Sequence, residues 1–188
     1  RLGADAIGLV FAPGSARYVD VAAAERLAAR VPAFVTLVGL FLDPSEQQVA
    51  QVLERVPLEV LQFHGDEPAA LCRGFARRYI KAVPMGGGCD SREYAARYAD
   101  ATALLLDSHA SGALGGTGAA FDWDAIPAEL ERPLVLAGGL GPHNVADAVA
   151  RVRPYAVDVS SGVESAKGIK DAAKMAAFFD EVTRVQSD

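Results

Sequence analysis

Residues 133–164 read PLVLAGGLGPHNVADAVARVRPYAVDVSSGVE. Two short apolar runs, 134–136 and 155–159, each end in small residues, Ala-Gly-Gly at 137–139 and Ser-Ser-Gly at 160–162. The residues between them, 142–152, have the pattern of a helix with Pro142 in its first turn. The stretch therefore predicts a strand–helix–strand unit with a glycine-containing turn after each strand.

These two turns are candidates for a phosphate site. Glycine lets an anion approach backbone N–H groups closely, and the amino end of a following helix adds favourable partial charge. One such turn alone is more simply explained by backbone angles that need glycine. Two of them, after consecutive strands, favour phosphate binding by Gly138, Gly139, Ser161 and Gly162.

Length and composition exclude several classes of protein. The chain has 188 residues, of which 51% are apolar, and a net charge of −6. We expect one domain, no basic surface for nucleic acid and no membrane partner, because no apolar run approaches roughly 20 residues. With only Cys72 and Cys89, we expect no disulfide framework and a cytoplasmic location. The sequence does not indicate the oligomeric state.

Apolar strands alternate with helical patterns along the chain. Strands are predicted at 5–11, 34–42, 58–63, 79–83, 102–106, 134–136 and 155–159, and helices at 19–30, 43–55, from 66 onward, 91–98, 121–130, 142–152 and 170–185. This alternation predicts an α/β fold with a parallel sheet. Seven strands fit a doubly wound sheet, or a (β/α)₈ TIM barrel from which one unit is missing.

The opening residues, RLGADAIG, resemble the end of a helix that runs into a strand. We therefore favour a single barrel domain over residues 1–188 whose first β/α unit is missing from the sequence. Removing one strand from a barrel leaves two edges. We accordingly expect the strands at 5–11 and 155–159 to flank a gap rather than to pair with each other.

Chemistry in such barrels lies at the carboxyl ends of the strands. The polar residues predicted at that end include Arg17, His64, Asp107 and Asp158. An arginine can bind a carboxylate through two hydrogen bonds, and an aspartate can act as a general acid if burial raises its pKa. Each residue also has a structural explanation: a loop cap for Asp107, backbone hydrogen bonds for His64 and Asp158, and a surface charge for Arg17.

The sequence predicts neither a metal nor a cofactor. Its three histidines, His64, His109 and His143, are far apart along the chain and match no ligand motif. The glycines at 86–88 are not followed by the lysine of a P-loop.

Several motifs together resemble those of the phosphoribosylanthranilate isomerase (TrpF) family. They are FAPGSARYV, LQFHGDE, LLLDS followed by GGTGAAFDW, LAGGLGPHNV and VDVSSGVES with KGIKD, in that order. The resemblance implies a (β/α)₈ barrel that catalyses a cofactor-free Amadori rearrangement in tryptophan biosynthesis. The substrate would be N-(5-phosphoribosyl)anthranilate and the product 1-(2-carboxyphenylamino)-1-deoxyribulose 5-phosphate.

The resemblance also implies roles for individual residues. Asp107 matches the general acid that protonates the furanose ring oxygen, and Arg17 matches the arginine that orients the anthranilate. The glycine turns match the phosphate loops. His64 and Asp158 match motif residues near the substrate.

Two departures from the family pattern leave alternatives open. The family begins with a Lys-Ile-Cys-Gly strand whose cysteine is the general base, and this sequence shows no such strand; neither Cys72 nor Cys89 takes that role. Ala119 stands where the family usually has a basic residue after GGTG. The alternatives are another phosphosugar enzyme, such as a pentose-phosphate epimerase with metal ligands at its strand ends, and a non-catalytic, phosphate-binding barrel.

Overall fold

A seven-stranded parallel sheet with helices between its strands makes up most of the molecule. In the computed structural model, the described residues are 2–87, 90–109, 121–127, 130 and 132–187. The strands are β1 Ala6–Val10, β2 Thr36–Phe41, β3 Val60–Phe63, β4 Arg78–Pro84, β5 Ala103–Asp107, β6 Leu134–Leu136 and β7 Ala156–Val157. The helices are α1 Val21–Ala28, α2 Glu46–Leu53, α3 Ala69–Cys72, α4 Ser91–Arg97, α5 Val145–Val152 and α6 Ala172–Ser187.

The strand order distinguishes the two α/β architectures. Each strand pairs in parallel with the next one in the chain, from β1 to β7 without reversal. A doubly wound sheet would reverse direction at its switch point. The sequential order is that of a (β/α)₈ barrel, which confirms the predicted fold class. Within the described residues β1 pairs with β2, β7 pairs with β6, and β1 and β7 do not pair with each other.

The two faces of the sheet carry different side chains. The face toward the helices carries large apolar side chains, and the buried ones include Phe41, Leu61 and Phe63. The opposite face, which we call the inner face, holds smaller residues: Ala82, Ala103, Leu105, Val135 and Ala137. Alternation along a strand therefore places the even-numbered residues of β3 and the odd-numbered residues of β5 on the inner face.

Three predicted boundaries were wrong for local reasons. Pro142 precedes helix α5, which begins three residues later, because Asn144 binds the turn before it through Gly141 N and Gly139 O. Lys170 pairs in an antiparallel hairpin, β8 Glu164–Ala166 with β9 Ile169–Lys170, so the last helix begins at Ala172. Within the predicted helix 121–130, the described residues form a short 3₁₀ turn, Trp123–Ala125.

None of the helices in the described part of the chain is both long enough and apolar enough to cross a bilayer.

Candidate active site

Strand alternation brings the predicted polar residues to one place. His64 directly follows β3, in phase with Gln62, and Asp107 ends β5, in phase with Leu105. Asp158 follows β7, in phase with Ala156. Ala156 and Leu105 belong to the same small apolar cluster. The inner face therefore carries His64, Asp107 and Asp158 at the carboxyl ends of their strands, as the sequence predicted.

Asp107 lies between two histidines. Its Oδ2 atom is 3.2 Å from His64 Nε2 and 3.5 Å from His109 Nδ1, and all three side chains are buried. The imidazole rings of His64 and His109 lie 4.3 Å apart, centre to centre. Gln62 Nε2 is 3.3 Å from the other nitrogen of His64, which orients that ring. The three groups form one cluster, which we call the Asp107 cluster.

The pKa of Asp107 moves in the direction opposite to the one expected from burial alone. Burial would raise the pKa of Asp107, but the two imidazoles beside the carboxylate, His109 and His64, outweigh it and lower the pKa well below its ordinary range. The carboxylate is therefore ionised when no substrate is bound. The sequence could not anticipate this because one of the two responsible groups, His109, was not recognised as a neighbour.

Asp158 has the opposite tendency. Its pKa is raised, first by desolvation from the surrounding protein and second by the negative charge of Asp107. The side chain is nevertheless exposed to solvent at the open edge of the sheet. Because water reaches the carboxylate, the desolvation raises its pKa less than it would in a closed interior.

The fold brings together two histidines that no motif in the sequence connects. His64 and His109 are distant along the chain, but they lie against the same carboxylate because β3 and β5 are both neighbours of β4. The position of His109, two residues after the aspartate that ends a buried strand, was the available signal. The donor atoms of His64, Asp107 and His109 lie within 4.8 Å of one another, so these are residues that could hold a metal.

The two glycine turns meet next to Asp107. Gly138 and Gly139 have φ angles of +78° and +66°, a left-handed conformation that favours glycine. Gly162 packs so closely on the turn after β6 that a side chain there would collide with the Leu140 carbonyl. The turns border a cavity of about 30 Å³, whose lining includes Asp107, Gly138, Gly139, Asp158, Ser160 and Ser161. The predicted phosphate turns and the two aspartates thus face the same space.

Arg17 is held by a carboxylate that the sequence reading had not identified as its partner. Its Nε and one terminal nitrogen donate to Glu164 at 2.7 and 2.8 Å. Glu164 also accepts from Lys170 Nζ and Gly168 N, each at 3.2 Å. These contacts lower the pKa of Glu164 to about 2, with the Arg17 hydrogen bond as the largest cause. Arg17 therefore points one edge of its guanidinium at Glu164, next to the second glycine turn.

A buried ion pair supports the loop that carries His64. Lys81 Nζ donates to Glu67 Oε2 at 3.0 Å and also to the Phe63 and Gly65 carbonyls on either side of His64. Glu67 Oε1 in turn accepts from Asp43 N and Gly65 N. Lys81 and Glu67 are 0% and 2% exposed. The pair fixes the backbone from which His64 reaches Asp107.

The structure also bears on the two cysteines. Cys72 is fully buried on the helix side of the sheet, and burial is the main cause that raises its pKa to about 12. A thiol with that pKa stays protonated at neutral pH and cannot take up a proton there. Cys89 and Ala119 lie outside the described residues.

A larger open cleft of about 770 Å³ lies at the other end of the sheet, near Pro133 and Tyr155. These residues precede β6 and β7. Chemistry in barrels occurs at the opposite ends of the strands, so we place the active site at the smaller cavity.

Comparisons with known proteins agree on one activity. A family model described as "N-(5'phosphoribosyl)anthranilate (PRA) isomerase" matches residues 1–181. The chain is 56% identical over 184 residues to N-(5'-phosphoribosyl)anthranilate isomerase of Halorhodospira halophila, which covers 98% of this chain and 88% of that protein.

Solved structures give the same result. The phosphoribosyl anthranilate isomerase of Thermotoga maritima has a TM-score of 0.87 and 40% identity, over 97% of this chain and 90% of that one. A phosphoribosyl anthranilate isomerase in complex with reduced 1-(o-carboxyphenylamino)-1-deoxyribulose 5-phosphate has a TM-score of 0.83 and 39% identity, over 97% and 89%.

Proposed function

The chain belongs to the N-(5'-phosphoribosyl)anthranilate isomerase family, and from this premise we propose which of its residues bind the substrate and which transfer protons. The enzyme carries out an isomerisation in tryptophan biosynthesis, the Amadori rearrangement of N-(5-phosphoribosyl)anthranilate. The family's biosynthetic role favours a cytoplasmic location.

Asp107 is the group that opens the sugar ring. It donates a proton to the furanose oxygen, the bond between that oxygen and C1 breaks, and the anthranilate nitrogen supplies the electron pair that forms an iminium. Loss of the C2 proton then gives an enol, which becomes the ketone of the product. Asp107 takes up this proton from solvent as the substrate binds, and His64, whose Nε2 is 3.2 Å from the carboxylate, orients it. The observation that carries this assignment is the single cavity that Asp107 shares with both glycine turns.

The glycine turns hold the substrate phosphate through backbone N–H groups. Lys170 adds a positive charge beside them, because its Nζ atom binds the Ser160 carbonyl at 2.7 Å. His64 and Asp158 face the sugar between the phosphate and the acid. The base that takes the C2 proton is not among the described cysteines, since Cys72 lies on the other side of the sheet. Its assignment to the family's cysteine stays a prediction.

Gly139→Ala tests the phosphate turn. Gly139 has a φ of +66°, so an alanine would shift the turn and move its N–H groups. We expect KM to rise by roughly tenfold with a smaller change in kcat, because the phosphate is bound in both ground and transition states. Gly3→Ala is the matched control: Gly3 has a φ of +94° and open space around it, away from the site. An equal KM in both variants would contradict the assignment.

Arg17 binds the anthranilate carboxylate. Glu164 occupies the edge formed by Nε and one terminal nitrogen, so the edge formed by the two terminal nitrogens remains available for a second carboxylate. Within the described part of the chain, no group hydrogen-bonds to that second edge. Glu164 is thus a positioning residue that turns Arg17 toward the substrate.

Binding of two analogues tests this role. We expect Arg17→Gln to weaken binding of the reduced product analogue by at least roughly tenfold, the value of a charge-assisted hydrogen bond. The same analogue without its carboxyl group should bind both proteins equally in calorimetry. Arg151→Gln, at an exposed ion pair with Asp124, is the control and should change neither. A similar loss for both analogues would show that Arg17 supports the fold instead.

A further inference from the structure

The Asp107 cluster contains an unsatisfied nitrogen. His109 is 2% exposed, and its Nδ1 atom has no hydrogen-bond partner within the described part of the chain. That atom faces Asp107 Oδ2 at 3.5 Å, beyond a good hydrogen bond. Nothing in the proposed reaction requires a second histidine at this position. The buried, unpartnered nitrogen indicates that the cluster can accept a ligand.

The distances within the cluster fit a metal ion. Nitrogen and oxygen ligands lie about 2.0–2.2 Å from zinc, which places neighbouring donor atoms of a tetrahedral site roughly 3.3 Å apart. His64 Nε2 and His109 Nδ1 are 3.2 and 3.5 Å from Asp107 Oδ2, and each of the three residues offers a donor atom within 4.8 Å of those of the other two. Small rotations of the side chains therefore suffice to complete a three-ligand site.

The surroundings of the cluster also resemble those of a metal site. The Gln62 amide lies 3.3 Å from the second ring nitrogen of His64; turned so that its oxygen faces that nitrogen, it is the outer acceptor that a metal-binding histidine needs. Asp158, which lines the same cavity as Asp107, adds a second negative charge nearby. The three cluster side chains are between 2% and 8% exposed, so few waters compete for the donor atoms.

We propose that His64, Asp107 and His109 bind a divalent transition-metal ion of the zinc class, with a fourth position left for water or a substrate oxygen. Two imidazoles and one carboxylate favour Zn²⁺, Co²⁺ or Fe²⁺ over Mg²⁺ and Ca²⁺, which prefer oxygen ligands. The ion is an inhibitor of this enzyme rather than its cofactor. This consequence rests on the proposed role of Asp107, since a metal bound to its Oδ2 atom takes the place of the proton.

Cobalt provides a readout that does not depend on activity. A chelator would first remove any bound metal from the protein, and the chelator would then be removed by gel filtration. The metal-free protein would be titrated with Co²⁺ and observed by visible absorption. We expect the ligand-field bands of a four-coordinate cobalt ion at one equivalent per chain, and their loss when Zn²⁺ is added. In NMR spectra of the wild-type protein, Zn²⁺ should shift the imidazole ring signals of two of the three histidines, His64 and His109. The ring signals of His143 should stay unchanged.

Two variants locate the ion. His109→Gln should weaken Co²⁺ binding by at least about tenfold, the loss that follows even when an outer partner of a metal ligand is removed. His143→Gln is the matched control, because His143 is exposed and lies outside the cluster; it should bind Co²⁺ like the wild type. Absence of the bands, or equal binding by His109→Gln, would overturn the proposal. The NMR experiment keeps it testable should His109→Gln fail to fold.

Activity then separates this proposal from the proposed mechanism. Zn²⁺ should inhibit the wild-type isomerase reversibly, and His109→Gln should require at least about ten times more Zn²⁺ for the same inhibition. Binding of Co²⁺ at the cluster without inhibition by Zn²⁺ would support the metal site and contradict the role of Asp107 as the acid. Inhibition without a shift of His64 and His109 in NMR would place the ion elsewhere and overturn the site.

Discussion

Asp107→Asn is expected to lower kcat by at least about 10²-fold, because an amide has the shape of the carboxyl group but cannot deliver its proton. Asparagine can still hydrogen-bond to His64, so the cluster should stay folded. The measurement is turnover of N-(5-phosphoribosyl)anthranilate by the purified variant, with the dissociation constant of the reduced product analogue determined in parallel. Binding should change much less than kcat.

Asp124→Asn is the control for this substitution. Asp124 is exposed, pairs with Arg151 and lines the cleft at the opposite end of the sheet from the glycine turns. Its kcat should equal that of the wild type. Turnover of Asp107→Asn within a few-fold of the wild-type rate would remove Asp107 from the reaction, whereas loss of analogue binding together with kcat would indicate a structural role.

Lys81→Met is expected to destabilise the protein by about 3–5 kcal/mol, the cost of leaving a buried charge without its partner. The substitution leaves the buried Glu67 carboxylate, which is 2% exposed, without its charged partner. The two carbonyls that flank His64 also lose their hydrogen bonds to Lys81. Urea unfolding measures the change. For a chain of this length, Tm should fall by roughly 6–20 °C. Activity should fall as well, because His64 loses its support.

An exposed ion pair provides the matched comparison. Arg55 and Glu25 lie 2.5 Å apart with about half of each side chain exposed to solvent, and Arg55→Met should cost under about 1 kcal/mol. The double variant Lys81→Met with Glu67→Gln should recover part of the stability, since no unpaired charge remains. Equal effects of Lys81→Met and Arg55→Met would show that the buried pair contributes no more than a surface pair.

The sequence predicted which polar residues lie at the strand ends, but it predicted their interactions with one another only in part. His64 and Asp107 were placed at the carboxyl ends of strands because the end of an apolar run can be read from the sequence, and both lie there. From the sequence, an aspartate could act as a general acid if burial raised its pKa, but the pKa of Asp107 is lowered, because His109 and His64 lie beside the carboxylate. The histidines match no metal-ligand motif in the sequence, and only the fold shows that His64 and His109 lie beside one carboxylate.

The sequence by itself determined the order of strands and helices, the glycine turns after β6 and β7, and the family resemblance. These depend on local periodicity and on residues such as Gly138 and Gly139, whose left-handed backbone favours glycine. The sequence did not determine where α5 and α6 begin. Both start later than predicted, because Asn144 hydrogen-bonds to the turn before α5 and Lys170 pairs in the β8–β9 hairpin before α6.

Only the tertiary structure decided the partners of the charged groups. Arg17 and Glu164 are 147 residues apart in the chain, His64 and Asp107 are 43 apart, and Lys81 and Glu67 are 14 apart. Each pair forms because the fold brings together strands or loops that are separate in the sequence. No local pattern of residues predicts such a contact. A buried charge is stable only with such a partner, so the sheet, by setting which strand ends are adjacent, determines the electrostatics of the site.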